Sequence, residues 1–550
     1  MYGARSDLNV SAGRKTDRLC ELCSGQKHKA MKRTIEILLT AALAASCVGR
    51  SLSPGAGPAP DERLSSEPGM IVLGERLEDP YTVENMNKAF ASLYPTKADR
   101  VVLPATHLYV RFLPANEAQY ATLERLGVEL VDHPVDYEIL REGDWYHDPE
   151  IAPGSITWQY AVVDADFHFP KGICHEVIDR CHIPAPGPST KADGIDWAEV
   201  ERESFRLTGN AALTKGEESS GTPSGRITIV DAALGGEPEG VRGVRVACNC
   251  FVKFARAYTD EQGRYQMETS FASQPRYRLV FKNATGFAIG FNLILTPASY
   301  TGLGKGAATG IDLEVTPDSE KRLFPRCVVN NAGYDYWKNC EKGMPAIKTP
   351  PGNLRVWIFQ GLDSGSTVMM QQGVLVDRSK LAEWLGEFSV LLKVFLPDIT
   401  LGLKNRNSYG DIYSSAVHEF AHASHFMLAG RDYWESYVRF ILNSFVTSGF
   451  VAYGVGTEAD DGYCEVGEMW AYYRESVLYR ERYGGEAAFG VNHWFHPQIF
   501  LQLDDRGLNA WRIFQVLGAD VTDRAVLQKK LTSFYPEYKS AINQAFMRYN

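Results

Sequence analysis

The stretch Ile412-Tyr413-Ser414-Ser415-Ala416-Val417-His418-Glu419-Phe420-Ala421-His422-Ala423-Ser424-His425-Phe426-Met427-Leu428 reads as one helix, with Asp411 placed to cap its start and Gly430 to end it. His418 and His422 are four residues apart, which stacks both imidazoles on one face, one turn apart. Two imidazoles in that relation can bind one Zn²⁺ at about 2.0–2.1 Å each. Glu419 sits beside His418 at the edge of the same face. It can reach a metal-bound water, whose pKa is lowered towards about 7, and take its proton without ligating the ion. The chain has 12 histidines in 550 residues, so three within one helix form a concentration. Ala416, Val417, Phe420, Ala421, Phe426, Met427 and Leu428 surround them with apolar surface, the setting of a buried metal helix and not of a solvated His/Glu face.

A catalytic zinc keeps three protein ligands and one open position. His425 lies on the same side as His422, but it is seven residues from His418, about 10.5 Å along the axis. It is expected beside the ligands or the substrate and not on the ion. The other source of a third ligand is a second helix. It starts after the turn Asp460-Asp461-Gly462, runs to about Tyr483 and stops at Gly484-Gly485. Glu465, Glu468 and Tyr472 fall one turn apart along one face of it. Tyr472 is placed either to donate its phenol to a developing oxyanion or simply to pack as an aromatic ring.

The set His418-Glu419-Phe420-Ala421-His422 followed by Gly467-Glu468-Met469-Trp470-Ala471 resembles the gluzincin metallopeptidases, whose third ligand lies in an Asn-Glu-Gly-Phe-Ala-type segment. Gly467 stands where that segment has Asn, and Met469 where it has Gly. The resemblance implies His418, His422 and Glu468 as zinc ligands and Glu419 as general base. Glu465 remains the alternative third ligand or a partner of an imidazole. Zincins also hold extended substrates along an edge strand. Pro397-Asp398-Ile399-Thr400-Leu401-Gly402 is a short strand that suits either that role or a buried structural one.

Working outward, residues 223–316 carry short alternating strands separated by Asp and Gly turns: Gly225-Arg226-Ile227-Thr228-Ile229, Gly243-Val244-Arg245-Val246, Thr259-Asp260-Glu261-Gln262-Gly263-Arg264-Tyr265 and Tyr277-Arg278-Leu279-Val280-Phe281. The order is similar to the carboxypeptidase-regulatory, transthyretin-like domain and implies an accessory β-sandwich without catalysis of its own. Residues 71–170 read as a small α/β module. His107 to Phe112 is a strand, Asn116 to Leu126 a helix between Pro114 and Gly127, and Val128 to Val131 a second strand. Residues 171–222, rich in Pro, Gly, Ser and Thr, read as a surface linker.

The N-terminal region reads as a targeting signal. Residues 1–30 form an upstream extension. Residues 31–46 form a signal peptide, with the basic Met31-Lys32-Arg33 and an apolar run from Ile37 to Ala45 too short to span a bilayer. Leu43-Ala44-Ala45-Ser46-Cys47 resembles a bacterial lipoprotein box, which implies lipidation at Cys47, and residues 47–70 form a tether. Cys20 and Cys23 have no second pair to make a metal site. In an exported chain, Cys174 with Cys181 and Cys327 with Cys340 are the expected local disulfides. The formal net charge of -10 and the lack of a basic run exclude a general nucleic-acid binder.

The sequence therefore predicts a multidomain α+β protein: an N-terminal α/β module, a β-sandwich, and a mainly helical, zincin-like domain over 317–550. The expected activity is zinc-dependent hydrolysis of protein or peptide substrates. The expected location is the bacterial cell envelope, on either face of an outer membrane through the lipid anchor, or the secreted fraction. The alternative is a non-catalytic zinc-containing lipoprotein that binds a protein or glycan partner. A zinc amidase acting on cell-wall peptides shares the same motif. Oligomeric state is not encoded in any feature of the chain.

Overall fold

The computed structural model describes residues 69–98, 101–152, 154–185, 194–216, 220–290, 296–362, 365–374, 397–447, 453–485 and 494–549. The upstream extension, the signal run, Cys47 and the tether through residue 68 lie outside the described residues. The molecule is a multidomain α+β protein with helices and several sheets.

The N-terminal part comprises β1 (Val72–Arg76), α1 (Val83–Leu93), α2 (Pro95–Ala98), β2 (His107–Leu113), α3 (Glu117–Arg125), β3 (Tyr137–Arg141), β4 (Gln159–Asp164), β5 (Cys174–Cys181) and α4 (Trp197–Leu207). The antiparallel sheet β4-β2-β5 and the pair β1-β3 organise it. Asn116 caps α3 by accepting the Gln119 N–H, as Pro114 and Gly127 at the two ends predict. The expected strand at Val128–Val131 does not form. Only Val131 makes a bridge, to Tyr160, and Val128 packs beside Leu108, Val110, Phe112 and Leu123. Residues 171–222 are not simply a linker either, because they supply β5 to the sheet and the helix α4, which is capped by Asp196.

Both expected disulfides are corrected. Cys174 and Cys181 are the two ends of β5, roughly 23 Å apart at a strand's rise per residue. Cys327 and Cys340 lie on one helix, roughly 20 Å apart along its axis. A disulfide needs Cα atoms within about 7 Å. The described cysteines are all free thiols.

The sandwich strands are β6 (Ser224–Val230), β7 (Pro238–Gly240), β8 (Val244–Cys250), β9 (Lys253–Tyr258), β10 (Arg264–Gln266), β11 (Arg276–Asn283), β12 (Ala288–Gly290), β13 (Tyr300–Lys305) and β14 (Leu313–Val315). The turn between β9 and β10 is built by Asp260, whose Oδ1 accepts the N–H groups of Gln262 and Arg264. One sheet runs β10-β6-β14 with β7 on β6. The other contains β9, β8, β11, β12 and β13, and does not end at the sandwich.

The C-terminal part contains α5 (Leu323–Glu341), β15 (Arg355–Phe359), β16 (Ser366–Thr367), β17 (Ile399–Gly402), α6 (Tyr409–Ala429), α7 (Arg431–Thr447), α8 (Asp461–Tyr483), α9 (Gln498–Asp504), α10 (Ala510–Val516), α11 (Arg524–Phe534) and α12 (Lys539–Met547). β12 pairs in parallel with β15, β15 in parallel with β17, and β16 antiparallel with β17, so one eight-stranded sheet passes from the sandwich under the helices. All four β17 residues are buried and the strand has a neighbour on each side. Of the two readings of 397–402 the buried one applies, and among the described residues β16 is the edge. Asp398 fixes the start of β17 by accepting the main-chain N–H groups of Arg355, Gln371 and Gln372.

Helix α6 lies in the core. Phe420 packs against Phe287 of the sandwich and Trp337 of α5, with ring centroids 5.5 and 5.6 Å away. That contact orients the opposite face of α6, with His418 and His422, towards α8. Arg482 near the end of α8 pairs with Asp231 and Glu239 of the sandwich and lies over the Tyr409 ring at the start of α6. The same helices that present the candidate site are thereby tied to the sandwich. Among the described residues no helix is long and apolar enough to cross a membrane.

Candidate metal centre

α6 begins at Tyr409, three residues before the expected start at Ile412. Ser408, not Asp411, is the cap: its Oγ accepts the Asp411 N–H and donates to the Asp411 carboxylate. The helix then runs unbroken through the histidine cluster to Gly430. α8 starts at Asp461 and ends before Gly484, matching the turn and glycine signals that frame it.

The two helices bring His418, His422 and Glu468 together, with one donor atom from each inside a 4.8 Å span. His418 Nε2 and His422 Nε2 are 3.1 Å apart. Glu468 Oε2 is 3.2 Å from His418 Nε2, and its Oε1 is 3.3 Å from His422 Nε2. A tetrahedral ion bound at 2.0–2.1 Å has ligand–ligand edges of about 3.3–3.4 Å. The Nε2–Nε2 separation and each imidazole's distance to its own Glu468 oxygen are close to such an edge; with one atom taken from each residue, the group lies within 4.8 Å.

The hydrogen bonds around the cluster point the same way. Glu475, two turns beyond Glu468, takes the His418 Nδ1 proton at 3.0 Å, and Ser414 Oγ donates to the other Glu475 oxygen. With Nδ1 protonated, neutral His418 turns a bare Nε2 lone pair towards His422 and Glu468. Tyr437 of α7 donates its hydroxyl to Glu468 Oε1 at 2.6 Å, while Glu468 Oε2 is buried with no donor. Two imidazole nitrogens and the Glu468 carboxylate thus converge in a dry place, where a cation would balance the carboxylate charge. A proton can serve when no metal does. Burial pushes the His418 imidazolium down, but Glu468 and Glu475 outweigh it and raise its pKa to about 10. Burial pushes Glu468 up, and the two histidines more than reverse this, holding it well below the carboxylate range. This group can hold a metal ion.

Gly467 explains one departure from the gluzincin segment. A Cβ there would lie 3.0 Å from the Tyr437 ring and 4.0 Å from His422 Nδ1. The ring of Tyr437 occupies the space that a side chain at 467 would need, and it supplies the hydrogen bond to Glu468 from a different helix.

Glu419 is buried beside the cluster. Burial raises its pKa, against the pull of His418 and His422. Its Oε2 accepts the Thr367 hydroxyl of β16 at 2.6 Å. Tyr472 meets His418 edge-on at 4.5 Å and stacks on Phe495 at 5.8 Å. Burial raises its phenol above the ordinary value, so it stays protonated near neutral pH. Phe495 in turn meets Tyr453 at 5.3 Å, and Tyr453, whose phenol burial raises, lies near enough to Glu468, Tyr472 and Glu419 for their charges to raise it further.

Neither Glu465, the alternative third ligand, nor His425 is part of the His418-His422-Glu468 group. Glu465 pairs with Arg524 of α11 at 3.3 Å, and burial raises its pKa to about 7. It joins helices and is not in the cluster. His425 is fully buried between Tyr433 and Trp434, with Nε2 3.2 Å from the Leu517 carbonyl. Burial and the neighbouring His422 lower its pKa to about 3, so it is a neutral core histidine that ties α6 to the end of α10 and shares Trp434 with His422. Cys47 lies outside the described residues. Sequence reasoning missed Glu475, Tyr437 and Thr367. Only Glu475 had a local signal, its i, i+7 spacing from Glu468 on α8.

No protein-family model, curated protein or solved structure matches the chain.

Proposed function

We propose that the chain is a zinc-dependent hydrolase of peptide bonds. The observation that carries this reading is a three-donor cluster of two imidazoles and one carboxylate with a fourth group, Glu419, beside it in a buried setting and engaged by Thr367 instead of the cluster. The donor set suits zinc: two borderline imidazole nitrogens with one carboxylate, all within 4.8 Å. When bound, the ion would supply Lewis acidity towards a carbonyl oxygen and lower the pKa of a water. His418, His422 and Glu468 would hold it, with Glu475 fixing the His418 ring and Tyr437 the Glu468 carboxylate. Glu419 takes the proton of the attacking water and passes it to the leaving amine nitrogen as the C–N bond breaks. Tyr472 donates its phenolic proton to the carbonyl oxygen as charge develops there.

The competing reading, a zinc that only staples helices in a binding protein, needs a fourth protein ligand. Its two named candidates are engaged elsewhere, Glu465 with Arg524 and His425 with the Leu517 carbonyl, which favours the hydrolase. Export and lipidation at Cys47, with a place in a bacterial cell envelope, belong to the same proposal and rest on residues 31–47. A chain beginning after Cys47 tests the hydrolase reading. Stripped with a chelator and titrated with Zn²⁺ in the presence of a mixed peptide library, it is expected to regain cleavage as zinc reaches one ion per chain. Cleavage that survives the chelator, or zinc uptake without cleavage of any peptide, counts against the proposal.

A further inference from the structure

Edge strand β16 treats the two carboxylate oxygens of Glu419 differently. Thr367 Oγ1 lies 2.6 Å from Glu419 Oε2 and 3.3 Å from the Glu419 main-chain oxygen. A hydroxyl has one proton, and the short contact to a carboxylate oxygen takes it. Thr367 cannot easily yield. It is buried, it pairs with Ile399 of β17, and its carbonyl accepts the Trp434 indole N–H at 3.2 Å. Two residues earlier, just before β16, is Gly365. A Cβ at 365 would overlap Glu419 Oε1 and lie 2.9 Å from the Thr400 main-chain oxygen, so a residue with a side chain would displace the carboxylate. The segment from Gly365 to Thr367 thus contacts the two oxygens in two ways, by a hydrogen bond at Oε2 and by the absence of a side chain at Oε1.

We propose that Gly365 and Thr367 form a cradle that positions Glu419 for proton transfer. Thr367 occupies Oε2, which leaves Oε1 to accept the proton from the attacking water and return it to the leaving nitrogen. Gly365 keeps the space at Oε1 clear. Thr367 is a positioning residue in this scheme: it acts through Glu419, and its hydroxyl bonds to the base and not to His418, His422 or Glu468. The inference rests on the hydrolase reading, and it assigns the two oxygens of the base, which that reading leaves equivalent.

The test compares Thr367→Val, Thr367→Ser and Gly365→Ala with the parent chain, by zinc content, by kcat and KM on a cleaved peptide, and by crystal structures. Thr367→Val and Gly365→Ala are expected to keep one zinc per chain and an unchanged KM and to lose about 10- to 100-fold in kcat, the cost of misplacing a reacting group by a fraction of an ångström to an ångström. In both crystal structures the Glu419 carboxylate should be rotated from its place while His418, His422 and Glu468 stay put. Thr367→Ser, which keeps the hydroxyl, should recover most of kcat. If Val disturbs the fold, Thr367→Ala removes the same hydroxyl without added bulk. The proposal is overturned if kcat of the hydroxyl-free variants stays within twofold, if Ser is as poor as Val, if zinc is lost in step with activity, or if the carboxylate does not move. A parent chain that binds zinc and cleaves nothing defeats the hydrolase reading separately, and the crystallographic comparison still decides whether the cradle holds Glu419.

Discussion

At the scale of single residues, the candidate centre is framed by groups outside the His418-His422-Glu468 set. Glu475 holds the His418 ring through Nδ1 at 3.0 Å. Glu475→Ala is predicted to weaken zinc affinity by about 10- to 100-fold, read by competition with a chelator; an unchanged affinity would mean that the ring is oriented by packing alone. The pH dependence follows from the same pair of carboxylates. Against the burial that lowers it, Glu468 and Glu475 raise the metal-free His418 pKa from 6.5 to about 10. A histidine raised in the fold stabilises the metal-free protein fully below its unfolded value and loses that contribution as pH rises through the folded one. Zinc must displace that proton, so apparent affinity should climb between pH 6.5 and about 10, by up to about tenfold per unit. Zinc titrations in chelator buffers across that window check it, and a flat profile would contradict it. Of these residues the sequence shows His418, Glu419 and His422 plainly, because their spacing is local to one helix. It does not show Tyr437 or Thr367, which reach the site only through the packing of α7 and of an edge strand two residues long.

At the scale of elements, α8 was legible in extent but not in the use of its carboxylates. Glu465 and Glu468 lie one turn apart, and the pattern of the helix alone fits either as ligand. Tertiary context separates them: α11 brings Arg524 to Glu465, and α6 brings two imidazoles to Glu468. Glu468→Gln is predicted to lose zinc, whereas Glu465→Gln should keep it, as measured by metal content after dialysis. The Glu465 charge is also a cost to the fold. Burial, only partly offset by Arg524, raises its folded pKa from 4.5 to about 7, so its contribution to stability declines as pH rises through that interval. Urea denaturation above pH 7 should therefore find Glu465→Gln no less stable than the parent; a marked loss would show that the ion pair with Arg524 outweighs burial. The misread elements have similar causes. Val128 to Val131 alternates like a strand, yet only Val131 has a strand within reach. The 171–222 segment is rich in turn residues, but Cys174–Cys181 finds β2 as a partner.

At the scale of the whole molecule, the sandwich and the helical part look separable in sequence because composition and periodicity change near residue 317. The eight-stranded sheet passes through that point, with β12 hydrogen-bonded to β15, and Arg482 fastens α8 to Asp231 and Glu239. Pairing between strands far apart in sequence leaves no local signature, which is why the continuity was not legible. A fragment of residues 317–550 would expose the β15 edge and leave the Arg482 cation without its buried partners. It is predicted to be aggregated or molten by size-exclusion chromatography and near-ultraviolet circular dichroism, whereas the chain from residue 69 should be folded. A monodisperse, cooperatively unfolding fragment would show instead that the two parts are independent.

The central claim is that His418, His422 and Glu468 hold zinc while Glu419 performs the proton transfer. The most direct test is a comparison of the parent chain with Glu419→Gln, measuring zinc per chain and cleavage of a mixed peptide library on the same preparations. The account predicts about one zinc per chain in both and cleavage by the parent alone, since a general base contributes on the order of 10²- to 10⁴-fold. Equal cleavage by both proteins, or the absence of zinc from both, would contradict it.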